Sequence, residues 1–207
     1  MVAIIDYGVG NLFSLKSSLS YIGVDAVVTN DPEVIKSASH IILPGVGAFP
    51  DAAAKLKATG LIDFIKAEVK AGKPLLGICL GMQMLCSKSY EYGECEGLDF
   101  VPGEVVDMTP ELPEGLKVPH IGWNALKFEG KKSELYKYIN EGDCVYFVHS
   151  FYAKADKGCI TATTEYGIEL TASIENGNVY GTQFHPEKGG KVGLNILRAF
   201  CEIGGKV

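Results

Sequence analysis

The first hundred residues alternate short apolar runs with stretches whose apolar positions recur every three or four residues. "VAIID" (2–6), "DAVVTN" (25–30), "HIILPG" (40–45) and "PLLGIC" (74–79) read as strands. The segments between them, 11–23, 31–38 and 49–72, and the run after Cys79 read as helices. Strand and helix alternating in this way predict an α/β fold: a mostly parallel central sheet flanked by crossover helices. Asp31 followed by Pro32 supplies a capping side chain and a proline at the first helical position, while Gly23 and Gly72 read as helix stops. From about residue 98 the helical period fades, and β-rich pieces follow: "FVPGEVVDM", "NALKF", "CVYFVHSFYA", "CITATTEY", "ELTASIE" and "NVYGTQF". These predict antiparallel strands added in the C-terminal half, and Asn176-Gly177 signals a hairpin between the last two. "KVGLNILRAFCEI" closes the pattern as a helix with Val192, Ile196, Leu197 and Phe200 on one face. With no repeat, low-complexity tract or linker, one domain is expected over 1–207.

Composition narrows the function classes. The 207 residues, 47% hydrophobic and 21% charged, suffice for a sizeable core. A formal net charge of -6 is the wrong sign for a protein that grips a phosphate backbone, so nucleic acid is not an expected partner. "MVAIIDY" lacks the basic start and small-residue cleavage site of a secretory signal, and no run approaches the roughly 18 apolar residues of a membrane span. A cytoplasmic protein without membrane partners is expected. The six cysteines (79, 86, 95, 144, 159, 201) contain no C-x-x-C pair, which points to reduced thiols and away from a metal site. Cys86, Cys144, Cys159 and Cys201 read as small hydrophobes in apolar or plain surroundings.

Cys79 differs. In "KPLLGICLGMQML" (73–85) it sits between a strand and a helix, with Gly77 and Gly81 on either side. G-x-C-x-G at such a junction is the layout of a nucleophile elbow with sulfur in place of oxygen. The position sets the sulfur at a helix N-terminus, where unpaired N–H groups favour a thiolate; the plainer reading is a buried core thiol. A nucleophile needs a base, and the base an orienting group. Of the histidines 40, 120, 149 and 185, His40 opens an apolar strand and reads as structural. His185 lies in "GTQFHPEKGG", where Pro186 stops strand pairing and His185 and Glu187 project together from a strand end. The alternative is a surface turn. Acyl transfer also needs oxyanion donors. Leu80 offers one backbone N–H, and Val46 and Gly47 in "LPGVGAF" (43–49) offer the second, because flexible glycines let the backbone approach substrate closely. In open parallel sheets both loops lie at the carboxyl rim, where ligands bind. "DYGVGNLF" is no dinucleotide fingerprint, since Phe13 occupies the third glycine position, and no cofactor is inferred.

"GICLGMQML", "FHPEK" and "PGVGAF" resemble the motifs of the triad, or class-I, glutamine amidotransferases, in the family's order. Within that family, "IIDYGVGNLFSL", "VPHIGWN" and "YFVHSFY" resemble the glutaminase subunits of imidazole glycerol phosphate synthases. The resemblance implies a Cys79, His185 and Glu187 triad that frees ammonia from glutamine. It also implies Gln83 and Glu91 at the amino-acid end of glutamine, and the backbone around Ser150 and Phe151 as its carboxylate clamp. The implied partner is a (β/α)8 cyclase, in a heterodimer that makes imidazole glycerol phosphate and aminoimidazole carboxamide ribotide in histidine biosynthesis. Trp123 and Tyr146, large aromatics of the kind that anchor interfaces, are the candidates for that contact. A glutaminase serving another synthase, or a catalytically silent binding subunit, stays open as an alternative. Two departures stand out. Gly189 and Gly190 follow Lys188 where small polar residues are common, removing an N-cap side chain, and Phe151 stands where a tyrosine is frequent.

Overall fold

The computed structural model describes residues 1–204; residues 205–207, the end of the span expected to form one domain, lie outside the described residues. The chain runs β1 (Val2–Ile5), α1 (Leu12–Tyr21), β2 (Ala26–Thr29), α2 (Pro32–Ser37), β3 (His40–Gly45), α3 (Phe49–Ala58), α4 (Ile62–Lys70), β4 (Leu75–Cys79) and α5 (Leu80–Met84). β5 (Cys86–Ser89), β6 (Cys95–Glu96), β7 (Val101–Asp107), β8 (His120–Ala125), β9 (Lys127–Phe128), β10 (Cys144–His149) and β11 (Phe151–Ala155) follow. β12 (Ile160–Glu165), β13 (Glu169–Asn176), β14 (Val179–Thr182) and α6 (Gly190–Glu202) complete it.

An eight-stranded sheet in the order β2-β1-β3-β4-β14-β13-β12-β9 forms the centre. β1, β2, β3, β4 and β14 pair in parallel, and β13, β12 and β9 continue antiparallel. Alternate residues of the parallel strands face opposite cores. Ala3, Ile5, Ile41, Leu43 and Leu75 pack with Ile35, Phe49, Leu56, Ile65 and Val69 of α2, α3 and α4. Val2, Ile4, Ile42, Leu76 and Ile78 pack with Leu15 and Leu19 of α1 and with Ile196, Leu197 and Phe200 of α6. Every residue of β1, β3 and β4 is buried, as strands covered on both faces must be. Pro44 is tolerated because the β1 ladder ends at Ile42, so no hydrogen bond is lost there. The Tyr7 hydroxyl donates to the Pro44 carbonyl at 2.6 Å and ties down the strand end.

The β-rich half divides further than its pattern suggests. β13, β12 and β9 extend the main sheet, β11-β7-β5-β6 form a second sheet, and β8 and β10 form a two-stranded ribbon. "CVYFVHSFYA" is therefore two strands, broken at Ser150 and belonging to different sheets. The 49–72 helix splits at Thr59-Gly60-Leu61, and the helix after Cys79 stops after five residues. Cys144 is exposed, because the alternation along β10 turns its first residue outward. His40 is structural: its Nε2 pairs with the Ile203 carbonyl at 2.8 Å, fastening the end of α6 to β3. Gly189 provides no side-chain cap for α6, as the departure at that position implied.

Candidate active site

β3, β4 and β14 are adjacent, and their carboxyl ends carry the loop at 46–48, Cys79, and the segment leading to His185. Three motifs far apart in sequence meet there because the order of strands makes them neighbours.

At the end of β4 the backbone turns sharply. Cys79 has φ 55° and ψ −112°, a conformation that costs a residue with a Cβ on the order of 1–3 kcal/mol. Close packing of backbone holds it there. A Cβ on Gly81 would lie 1.9 Å from the Leu43 carbonyl oxygen, and one on Gly45 would lie 2.6 Å from the Gly81 nitrogen. The glycine frame thus lets β3 touch the first turn of α5 directly. Leu80, the first residue of that turn, follows the sulfur at once.

His185 is buried, and its Nδ1 sits 2.8 Å from Glu187 Oε1. Its backbone N–H donates to the Tyr146 carbonyl at 3.1 Å, which couples the imidazole to the β8/β10 ribbon. Burial disfavours the imidazolium, but hydrogen bonds to Cys79 and Glu187, reinforced by their charges, outweigh it and raise the His185 pKa to about 9. The Glu187 side chain is 3% exposed, and its Oε2 has no hydrogen-bond partner among the described residues.

A cavity of about 330 Å³ opens over these groups. Val46, Gly47, Cys79, Leu80, Gln83, Glu91, Ser150, Phe151 and His185 all line it, whereas Glu187 stands behind His185. Glu91 does more than face the cavity: its Oε2 accepts from the Phe49 N–H at 2.8 Å, capping α3 just after the 46–48 loop. Burial foremost raises its pKa, against that hydrogen bond. Gln83 points inward, its Nε2 donating to the Phe151 carbonyl and to Gln183 Oε1, each at 3.0 Å. Trp123 and Tyr146 do not reach the cavity. They face each other across the ribbon with ring centroids 5.9 Å apart, and Trp123 is 55% exposed. Exposed Ile121 shares this surface.

Three residues at the site carry no sequence signal of their own. Lys188 lines the cavity and sets its Nζ 5.8 Å from the Tyr146 ring centroid. His149 also lines the cavity, and its Nδ1 donates to the Phe151 carbonyl at 2.8 Å. Gln183, fully buried, donates from Nε2 to Cys79 Sγ at 3.7 Å. Lys188 was readable only as part of the motif around His185, and Gln183 only as an interior residue of a strand. Among the described residues no cluster of three or more His, Cys, Asp or Glu side chains is arranged for a metal ion.

A buried cysteine on a strained strand-to-helix turn, beside a histidine held by a carboxylate, defines a cysteine-based acyl-transfer class. The chain belongs to the class-I glutamine amidotransferase family, whose model matches residues 3–203. Its relatives narrow the group. It is 51% identical over 204 residues to imidazole glycerol phosphate synthase subunit HisH of Caldanaerobacter subterraneus subsp. tengcongensis, with 98% of each chain covered. It is 48% identical over 203 residues to the HisH subunit of Methanothermobacter thermautotrophicus, again with 98% of each covered. Among solved structures, a glutamine amidotransferase crystal structure superposes with TM-score 0.75 at 21% identity, covering 98% of both chains. The PurLQS structure from Thermotoga maritima gives 0.74 at 18% identity, covering 97% of this chain and 96% of that one. These two likenesses concern the fold.

Proposed function

We propose that this chain, acting as a single glutamine amidotransferase domain in the cytoplasm, hydrolyses the side-chain amide of glutamine. The ammonia goes to the cyclase subunit of imidazole glycerol phosphate synthase, its partner in a heterodimer of histidine biosynthesis. Cys79 Sγ attacks the amide carbon, and the carbonyl electrons move onto oxygen, opposite the backbone N–H groups of Leu80 and of the Val46-Gly47 loop. His185, carrying the proton it takes from the Cys79 thiol as Sγ attacks, gives that proton to the departing nitrogen. It then takes a proton from the water that cleaves the γ-glutamyl thioester. Glu187 holds the imidazole in the orientation both transfers need. Gln83, Glu91 and the backbone of Ser150 and Phe151 hold the amino-acid end of the substrate. Trp123 and Tyr146 face the cyclase.

The observation that carries this reading is a buried imidazole, His185, held by Glu187 at 2.8 Å and lining the same cavity as Cys79. A core thiol has no use for a buried, carboxylate-held imidazole. The partner assignment is supported by relatives named as HisH subunits, and by an aromatic pair, exposed at Trp123, on the ribbon that anchors His185. No helix among the described residues is long and apolar enough to cross a membrane. The test uses the complex with the cyclase. Cys79→Ala should end glutamate release, while added ammonium salts still support product formation, because only the ammonia source has been removed. Glutamate release surviving in Cys79→Ala overturns the nucleophile; failure to use ammonium overturns the division of labour.

A further inference from the structure

The hydrogen bonds around Cys79 include one that the triad does not explain. Gln183 is the second residue before His185, 0% exposed, and its amide lies against the sulfur. The orientation of this amide follows from donor and acceptor chemistry rather than from the choice of which amide atom is nitrogen. The Phe151 carbonyl can only accept, so the Gln83 atom 3.0 Å from it is the NH2 group. The second hydrogen of that group faces Gln183 at 3.0 Å, so the Gln183 atom there is oxygen. The Gln183 NH2 is left on the far side, 3.7 Å from Cys79 Sγ. His149 Nδ1, donating to the same Phe151 carbonyl at 2.8 Å, holds the start of the relay in place. A glutamine used only to fill the core has no need for its amide to be aimed by another side chain at a cysteine sulfur.

We propose that Gln183 is a fourth member of the catalytic set: an N–H donor to Cys79 Sγ, aimed by Gln83. The inference rests on the glutaminase reading above for its kinetic consequence but not for its geometry. The donor acts where charge sits on sulfur. When water attacks the γ-glutamyl thioester, the C–S bond breaks, its electron pair returns to Sγ, and the water's proton passes to His185. The Gln183 N–H meets that returning charge. In the free enzyme it also holds the sulfur towards His185 as a charge-assisted contact. Such a donor assists the step in which sulfur leaves and contributes little to glutamine binding.

The test compares the wild-type chain with Gln183→Met, which keeps length and volume but has no N–H. Gln183→Asn, which withdraws the amide by one methylene, serves as a second variant should the methionine protein not fold. In the cyclase complex, kcat for glutamate release should fall about 10- to 100-fold with KM nearly unchanged, the worth of one hydrogen bond to a charged group. Alkylation of Cys79 by iodoacetamide at neutral pH, without glutamine or cyclase, should slow about 10-fold while exposed Cys144 reacts at its usual rate. Alkylation needs no turnover, so slowed labelling supports the donor even if the protein proves not to hydrolyse glutamine. Unchanged kcat and unchanged Cys79 labelling in a folded variant, whatever its melting temperature, would leave Gln183 an ordinary satisfied core amide and overturn the proposal.

Discussion

Gly81 is where the backbone packing behind Cys79 is most exposed to test. A Cβ there would lie 1.9 Å from the Leu43 carbonyl oxygen and 2.9 Å from its carbon. Neither atom belongs to a flexible side chain that can swing away, because Leu43 pairs with Gly77 in the middle of the parallel sheet. Opening the contact to 3.0 Å, the closest approach real Cβ atoms make, moves the first turn of α5 by about 1 Å. Overpacking of this kind costs about 1–3 kcal/mol, which for a chain of this size lowers the melting temperature by about 2–12 °C. The turn also carries the Leu80 N–H and the sulfur, and a displacement of about 1 Å at a reacting centre costs about 10²-fold in rate. Gly81→Ala should therefore lose turnover out of proportion to stability. The measurements are thermal unfolding by circular dichroism, and glutamate release with cyclase present well below the melting point. Gly158→Ala is the control, since its added Cβ would meet only Asp156 Oδ1 at 3.4 Å. A Gly81→Ala protein within about threefold of wild-type turnover, at an unchanged melting temperature, would refute the argument that backbone contact fixes the elbow.

Gly47 has φ +87°, which proline cannot adopt, and proline also removes the N–H. Gly47→Pro should lower turnover about 10²- to 10³-fold while isothermal titration finds glutamine binding and cyclase docking nearly intact; near-normal turnover would remove this N–H from the oxyanion site. His185→Ala should lose about 10²- to 10⁴-fold in kcat, and Glu187→Gln less, because the amide oxygen keeps the place of Oε1. The reverse order in steady-state kinetics would exchange their roles. Acid stability has a definite sign. Burial foremost, with the charges of His120 and His185 and against the hydrogen bond to the Phe151 carbonyl, lowers the His149 pKa to about 3. Below pH 6.5 the unfolded chain binds a proton at His149 that the native state refuses, so its contribution is complete above pH 6.5 and declines towards pH 3. The slope is about 1.4 kcal/mol per pH unit from this group. His40 and His120, also lowered chiefly by burial, act in the same direction. His185 acts oppositely: its contribution is full below pH 6.5 and fades as the pH rises through about 9. As the pH is lowered from 6.5 to 4, urea midpoints should fall less steeply in His149→Gln than in wild type, and equal slopes would contradict the assignment.

The amino-acid sequence by itself determined the features that depend on neighbours in the chain. The strand and helix alternation of the first half follows from local period. The elbow at Cys79 was legible because Gly77 and Gly81 are spaced to relieve the same crowded turn, and the pairing of His185 with Glu187 because a proline fixes the backbone between them. What only the tertiary structure decided is which distant segments are adjacent. β14 inserts in parallel beside β4, although its own hairpin is antiparallel, and that choice brings His185 to Cys79. The break at Ser150 was hidden because "CVYFVHSFYA" alternates well enough for one strand; competition between two sheets for its two halves turns it into the wall of the cavity. Gln83 was legible as one helical turn beyond the sulfur, whereas Gln183 was not. A buried amide just past a strand end has no periodic signature, and its meaning comes from the Gln83 donor and the Cys79 acceptor that close around it in space.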